Sequence, residues 1–209
     1  MANLKITELA ANTTPALVDI IPHVDDVAGT PTTKKVTLTL VDDLFRANDA
    51  AFVATASVTV ASLDTENSII GTGVGSLTLP AGFLTIGKTL HIRVMGVISN
   101  TGTPNMTVKL KLGSTVIAST GAVATITGLS NSIFIADFYL TCRTTGVTGT
   151  VFGQGTTQLG NNPPIGAPAT AAITVDTTGT LAVGVTVQWG TSSASNTVTG
   201  SLAIVEKVN

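Results

Sequence analysis

Charge is scarce in this 209-residue chain: Asp, Glu, Lys and Arg make up 11% of it, against about 25% in ordinary globular proteins. The few charges nearly balance at a formal net charge of −2. That excludes a sequence-independent nucleic-acid binder, which needs a dense basic face to neutralise phosphates. Cysteine occurs once, as Cys142, so no internal disulfide supports the fold. With two His besides, the chain has little material for a metal cage or a catalytic constellation. Aromatics are 4% of residues, with a single Trp and a single Tyr. No run of about 18 apolar residues exists to span a bilayer as a helix. The N-terminal Met1-Ala-Asn-Leu-Lys-Ile-Thr-Glu lacks the continuous apolar core of a signal peptide. A soluble protein made in the cytoplasm, with no membrane partner, is therefore expected.

What remains is apolar and β-forming. Hydrophobic residues are 44% of the chain and mean hydropathy is +0.48. Those values exclude a disordered chain. They also predict a subunit short of polar surface, which contacts between copies would cover. Thr, Val and Ile suit pleated, half-buried strands. Apolar residues alternate with period two in three places. Leu181, Val183, Val185, Val187 and Trp189 share one face, as do Phe134, Ala136, Phe138, Leu140 and Cys142. Lysines alternate with apolar residues in Val108-Lys-Leu-Lys-Leu112. Each pattern predicts a strand with one face on a core and one toward solvent.

Short turn signals separate these runs, among them Pro80-Ala-Gly82, Asn100-Thr-Gly102, Leu112-Gly-Ser114 and Gly160-Asn-Asn-Pro-Pro-Ile-Gly166. Many short strands with Gly-rich turns predict an all-β protein, an antiparallel jelly-roll-like β-sandwich over residues 67–209. Residues 51–66 read as a linker or edge strand. Residues 1–50 differ, because they hold a large share of the chain's charges around short apolar clusters, Leu17-Val-Asp-Ile-Ile21 and Val36-Thr-Leu-Thr-Leu40. Val41 to Ala47 could form one helical turn with acidic residues at its positive end. Fifty such residues bury too little to be stable alone. They predict an extended N-terminal arm that completes its fold against a partner.

Several residue groups are candidates for chemistry. His23-Val-Asp25-Asp26 could ligate a metal, but no second His or Cys lies nearby, and Pro22 and Gly29 mark a turn of solvated charges. Gly71-Thr-Gly-Val-Gly75 lacks the following helix that a phosphate loop requires, so a β-turn or bulge is the expected role. Cys142 falls in the apolar phase of its strand, which makes it a small hydrophobe and not a nucleophile for His91. His91 and Arg93 read as an exposed or interface pair. No Gly-x-Ser-x-Gly elbow supports a Ser-His-Asp triad. The acids of the body, Asp64, Glu66, Asp137, Asp176 and Glu206, offer no obvious pair for glycoside cleavage. Trp189 is in phase with the core, whereas Tyr139 lies on the polar phase and is the better surface aromatic. No catalytic, cofactor-binding or metal-binding residue is assigned, and a non-enzymatic role is expected.

The stretch Ala16-Leu-Val-Asp-Ile-Ile-Pro-His-Val-Asp-Asp, with Thr33-Lys-Lys-Val-Thr-Leu and Asp43-Leu-Phe45, resembles the N-terminal module of tailed-bacteriophage virion proteins. Those proteins include head fibres, capsid decoration proteins and tail-fibre proteins. The body resembles the sandwich often joined to that module, in Ser76-Leu-Thr-Leu-Pro-Ala-Gly-Phe-Leu-Thr-Ile-Gly-Lys88, Val185-Thr-Val-Gln-Trp-Gly190 and Ala194-Ser-Asn-Thr-Val198. The resemblance implies a homotrimer on the virion surface, with the sandwich outward and the arm toward the particle. No collagen-like or heptad shaft separates arm and body, which favours a compact cap over a fibre. The expected function is a capsid decoration or cement protein that binds the major capsid protein or another virion protein. Ile20, Ile21, Val24, Val36 and Leu40 are the expected anchors of the arm. A tail-associated receptor-binding protein recognising a host cell-surface glycan is the alternative.

Overall fold

The computed structural model describes residues 20–25, 32–37, 50–62 and 64–209, every secondary-structure element of which is a strand. Among the described residues no helix is long and apolar enough to cross a membrane. The chain divides into two compact units, Met1–Ala47 and Asn48–Asn209. In the first, β1 (Ile20–Asp25) and β2 (Thr32–Thr37) form an antiparallel ribbon. Pro22 lies within β1, where a two-stranded ribbon leaves each strand an open edge and tolerates a missing donor.

The second unit holds the remaining strands. β3 (Ala50–Ala54) and β4 (Val58–Ala61) come first, then the short β5 (Asn67–Ser68), β6 (Gly73–Gly75) and β7 (Thr78–Leu79). β8 (Thr89–Ser99), β9 (Asn105–Leu112), β10 (Thr115–Ser119) and β11 (Val123–Ala124) follow. The chain ends with β12 (Ser132–Thr144), β13 (Thr150–Leu159), β14 (Ile165–Ala167), β15 (Ile173–Thr174), β16 (Leu181–Trp189) and β17 (Thr197–Lys207).

These strands make two antiparallel sheets. The larger runs β14-β13-β12-β8-β17-β3-β6, with β15 beside β13 and β4 beside β17. The smaller runs β10-β9-β16-β5, with β11 beside β9 and β7 beside β16. Alternation turns one row of each strand inward. Leu90, Ile92, Val94, Phe134, Phe138 and Leu140 of the larger sheet join Met106, Val108, Leu110, Val185, Val187 and Trp189 of the smaller in one core. The result is an all-β, antiparallel β-sandwich, with the inward sets on β9, β12 and β16 as the alternation predicts. Residues 51–66 contribute β3 and β4 to the larger sheet, and Phe52 and Val60 are buried in the core.

Two local devices let the sheets close. Gly153 of β13 lies under Ile117 of β10, where a Cβ would collide with the Ile117 methyl, so its bareness admits the approach of β10. The buried Asn100 holds the 125–129 loop. It donates to Thr125 Oγ1 at 2.6 Å and to the Ile126 carbonyl at 2.9 Å, and accepts from the Leu129 amide at 2.9 Å.

Candidate functional site

The outer face of the larger sheet carries the densest polar constellation among the described residues. Antiparallel register sets it. On β8, Thr89, His91 and Arg93 point outward, since Leu90, Ile92 and Val94 point in. Tyr139 of β12 and Glu206 of β17 flank His91 directly, and Asp137 of β12 flanks Arg93. His91 Nε2 lies 2.9 Å from Asp137 Oδ1, and Nδ1 lies 3.1 Å from Glu206 Oε2. Each ring nitrogen of His91 therefore faces a carboxylate oxygen, one from each neighbouring strand. Arg93 Nε sits 3.4 Å from Asp137 Oδ2, adding positive charge beside the carboxylates. The Tyr139 ring stacks on His91 at 4.4 Å between centroids, with an interplanar angle of 8°.

Both nitrogens of this imidazole are engaged by carboxylates. The ring acts as a brace. Two carboxylates hold the imidazole, and the imidazole holds one face of Tyr139. Beside the opposite flank of Tyr139 lies an open groove of about 550 Å³, lined by Asp137, Tyr139, Gln154, Thr156, Gly166 and Pro168. Tyr139 remains 48% exposed.

A second feature shares this face. Register aligns Val74, Val53 and Ile204 across β6, β3 and β17. The next row carries Leu202, Met95 and Ile135, and Val97 and Ile133 follow. Leu202 is 43% and Ile133 45% exposed, and the others are at least partly accessible. They form an uncharged apolar stripe whose rim carries Arg93 and Glu206.

The outer face of the smaller sheet bears a different cluster. Glu66 accepts from Lys109 Nζ and Lys111 Nζ, each at 2.6 Å, and from Thr186 Oγ1 at 3.0 Å. The Lys109 and Lys111 ammonium groups hold its carboxyl well down, at about 2. The four groups bond to one another, so this cluster ties Glu66 to the sheet.

The other candidates sort by position. Cys142 is buried on the inner face, the opposite side of the sheet from His91, which rules out their pairing. Burial pushes its thiol pKa up. Trp189 is fully buried. Gly73 and Gly75 belong to strand β6, pressed against β3 so closely that a Cβ on Gly73 would fall on the Val53 carbonyl oxygen. His23 and Asp25 lie within strand β1, opposite Lys34 and Thr32, and so not in a turn. No three His, Cys, Asp or Glu side chains are arranged to hold a metal among the described residues. Of the arm anchors, Ile20, Ile21 and Val24 fall on β1 and Val36 on β2, with Ile21 and Val36 directly paired. Leu40, Asp26 and the expected helical turn at Val41 to Ala47 lie outside the described residues.

The constellation of Asp137, His91 and Glu206 is what sequence reasoning missed. The body's acids seemed to offer no pair, yet two of them close on opposite sides of one imidazole. Compared with known proteins, the chain matches no family model and no curated protein.

Proposed function

We propose that the chain is a structural protein of the bacteriophage particle surface, a capsid decoration or cement protein. In this reading a jelly-roll-like body forms a homotrimer, and the N-terminal arm anchors it to the major capsid protein or a neighbouring virion protein. The apolar stripe on the larger sheet carries the proposal. Its rows cross five strands, about 20 Å at the usual strand spacing. Contiguous apolar rows on the outer face of a sheet mark an interaction site. Its rim holds exposed charges of opposite sign, Arg93 and Glu206, so the face complements copies of itself turned toward a common axis. The resemblance of residues 16–45 to a virion-attachment module supports the arm's role. Three arms presented together bind a repeating shell with avidity that one arm lacks.

The test is to remove residues 1–49, leaving all but the first two residues of the compact unit Asn48–Asn209, and to add intact or truncated protein to particles lacking it. Truncated protein is expected to stay folded and no longer join particles. Equal bound fractions for the two proteins would refute attachment by the arm.

A further inference from the structure

The groove beside Tyr139 has a composition of its own. Its wall on one side is an aromatic ring backed by His91, which two carboxylates contact in turn. Its other walls are polar or bare. Gln154 and Thr156 project outward from β13 and are exposed, and among the described residues neither side chain, nor the Tyr139 hydroxyl, makes a hydrogen bond with another. Opposite them, Gly166 has open space where a side chain would stand, and Pro168 closes the rim. The volume of about 550 Å³ is within the range of ~300–1,000 Å³ usual for small-molecule sites.

We propose that this groove is a binding site for a neutral saccharide. A pyranose has an apolar C–H face and a rim of hydroxyls that both donate and accept. The exposed face of Tyr139 suits the first. The Gln154 amide and Thr156 hydroxyl, each able to donate and accept, suit the second. Asp137 sets the charge preference. Its carboxylate is the charged group lining the groove, with Arg93 and His91 against it outside that lining, so an acidic sugar finds no cation to pair with there. The fixed ring lowers the entropic cost of binding, because the platform is ordered before the ligand arrives. The groove lies on the β12–β13–β14 flank, and none of its lining residues belongs to the apolar stripe. The site therefore stands independently of the particle-surface proposal.

The chain's single tyrosine makes a direct assay. Full-length protein labelled in its Tyr ring and Gln side chains is titrated by NMR with methyl α-glucopyranoside, methyl β-galactopyranoside, N-acetylglucosamine and, separately, glucuronate. At least one neutral sugar is expected to shift the Tyr139 ring and Gln154 amide signals saturably, with a Kd of about 1–10 mM. Glucuronate is expected to bind at least about tenfold more weakly, a difference of about 1.4 kcal/mol. Tyr139→Ala should weaken the neutral sugar about tenfold or more, read on Gln154, and Tyr139→Phe should largely restore it. Gln154→Ala, which leaves the His91 brace untouched, should weaken binding severalfold, and the buried Trp189 indole signal reports whether each variant stays folded. No saturable shift with any neutral sugar, binding unchanged in Tyr139→Ala and Gln154→Ala, or a preference for glucuronate would each overturn the proposal.

Discussion

Glu66 shows how few charges this protein spends and how tightly it holds them. Two ammonium groups and a hydroxyl converge on one carboxylate at the outer surface of the smaller sheet. Its carboxyl titrates at about 2 in the folded protein, against 4.5 as the ordinary value. Between those values the unfolded chain binds the proton and the folded one does not, so stability falls as pH drops through this window. The cluster is partly open to water, with the Glu66 side chain 25% exposed, and screening reduces its worth. Glu66→Gln is therefore expected to cost about 1–2 kcal/mol at neutral pH. The difference from the parent should persist down to about pH 5 and shrink toward zero near pH 2. Urea denaturation of both proteins at a series of pH values measures it. A gap that is constant with pH would mean that packing, and not charge, explains the loss.

At the scale of elements, glycine placement decides how β17 joins the larger sheet. Register shifts between Gly200 and Leu202, so the strand bulges and its inward phase passes from Val198 and Gly200 to Ala203 and Val205. Gly96 of β8 faces this bulge, and a Cβ there would fall on the Thr199 carbonyl oxygen, which is backbone and cannot swing aside. Gly184 of β16 is a strand glycine of another kind, with open space around the position a Cβ would take and no positive φ. Gly96→Ala should destabilise by about 3 kcal/mol or more. Gly184→Ala should change stability by no more than about 0.5 kcal/mol. Thermal denaturation of the two variants tests the contrast. The same bulge explains what the sequence could and could not reveal. β9, β12 and β16 keep an unbroken two-residue alternation, so Val108, Phe138 and Val187 could be turned inward from the sequence alone. β17 changes phase midway, and β3 and β4 are short, so the alternation over residues 50–62 did not separate a strand from a linker. The brace around His91 was hidden for a different reason. Its carboxylates stand 46 and 115 positions away, and only the register of two ladders brings them together. Tyr139 was legible as a surface aromatic from its phase, but its stacking on His91 was not.

Over the whole molecule, the larger sheet is apolar on its inner face and carries a further apolar stripe on its outer face, beside the polar constellation of His91, Arg93, Asp137 and Glu206. A sandwich needs one such face. The second, running from Val74 to Ile133, remains without a partner in a single copy. Association through that face separates two quantities that a core mutation would change together. Leu202 and Ile133 are 43% and 45% exposed in one copy, so an Asp at either site stays hydrated and costs the fold at most about 1 kcal/mol in lost strand preference. In a trimer the same side chain is buried against a neighbour, where an unpaired carboxylate costs about 2–5 kcal/mol per contact. Leu202→Asp and Ile133→Asp should therefore sediment as monomers at micromolar concentrations where the parent sediments as a trimer. Their far-ultraviolet spectra should match the parent's. Because oligomerisation itself raises apparent stability, the parent's melting temperature should rise with protein concentration and the variants' should not. A parent that sediments as a monomer, or variants that remain trimeric, would show that the stripe is not the surface joining the copies.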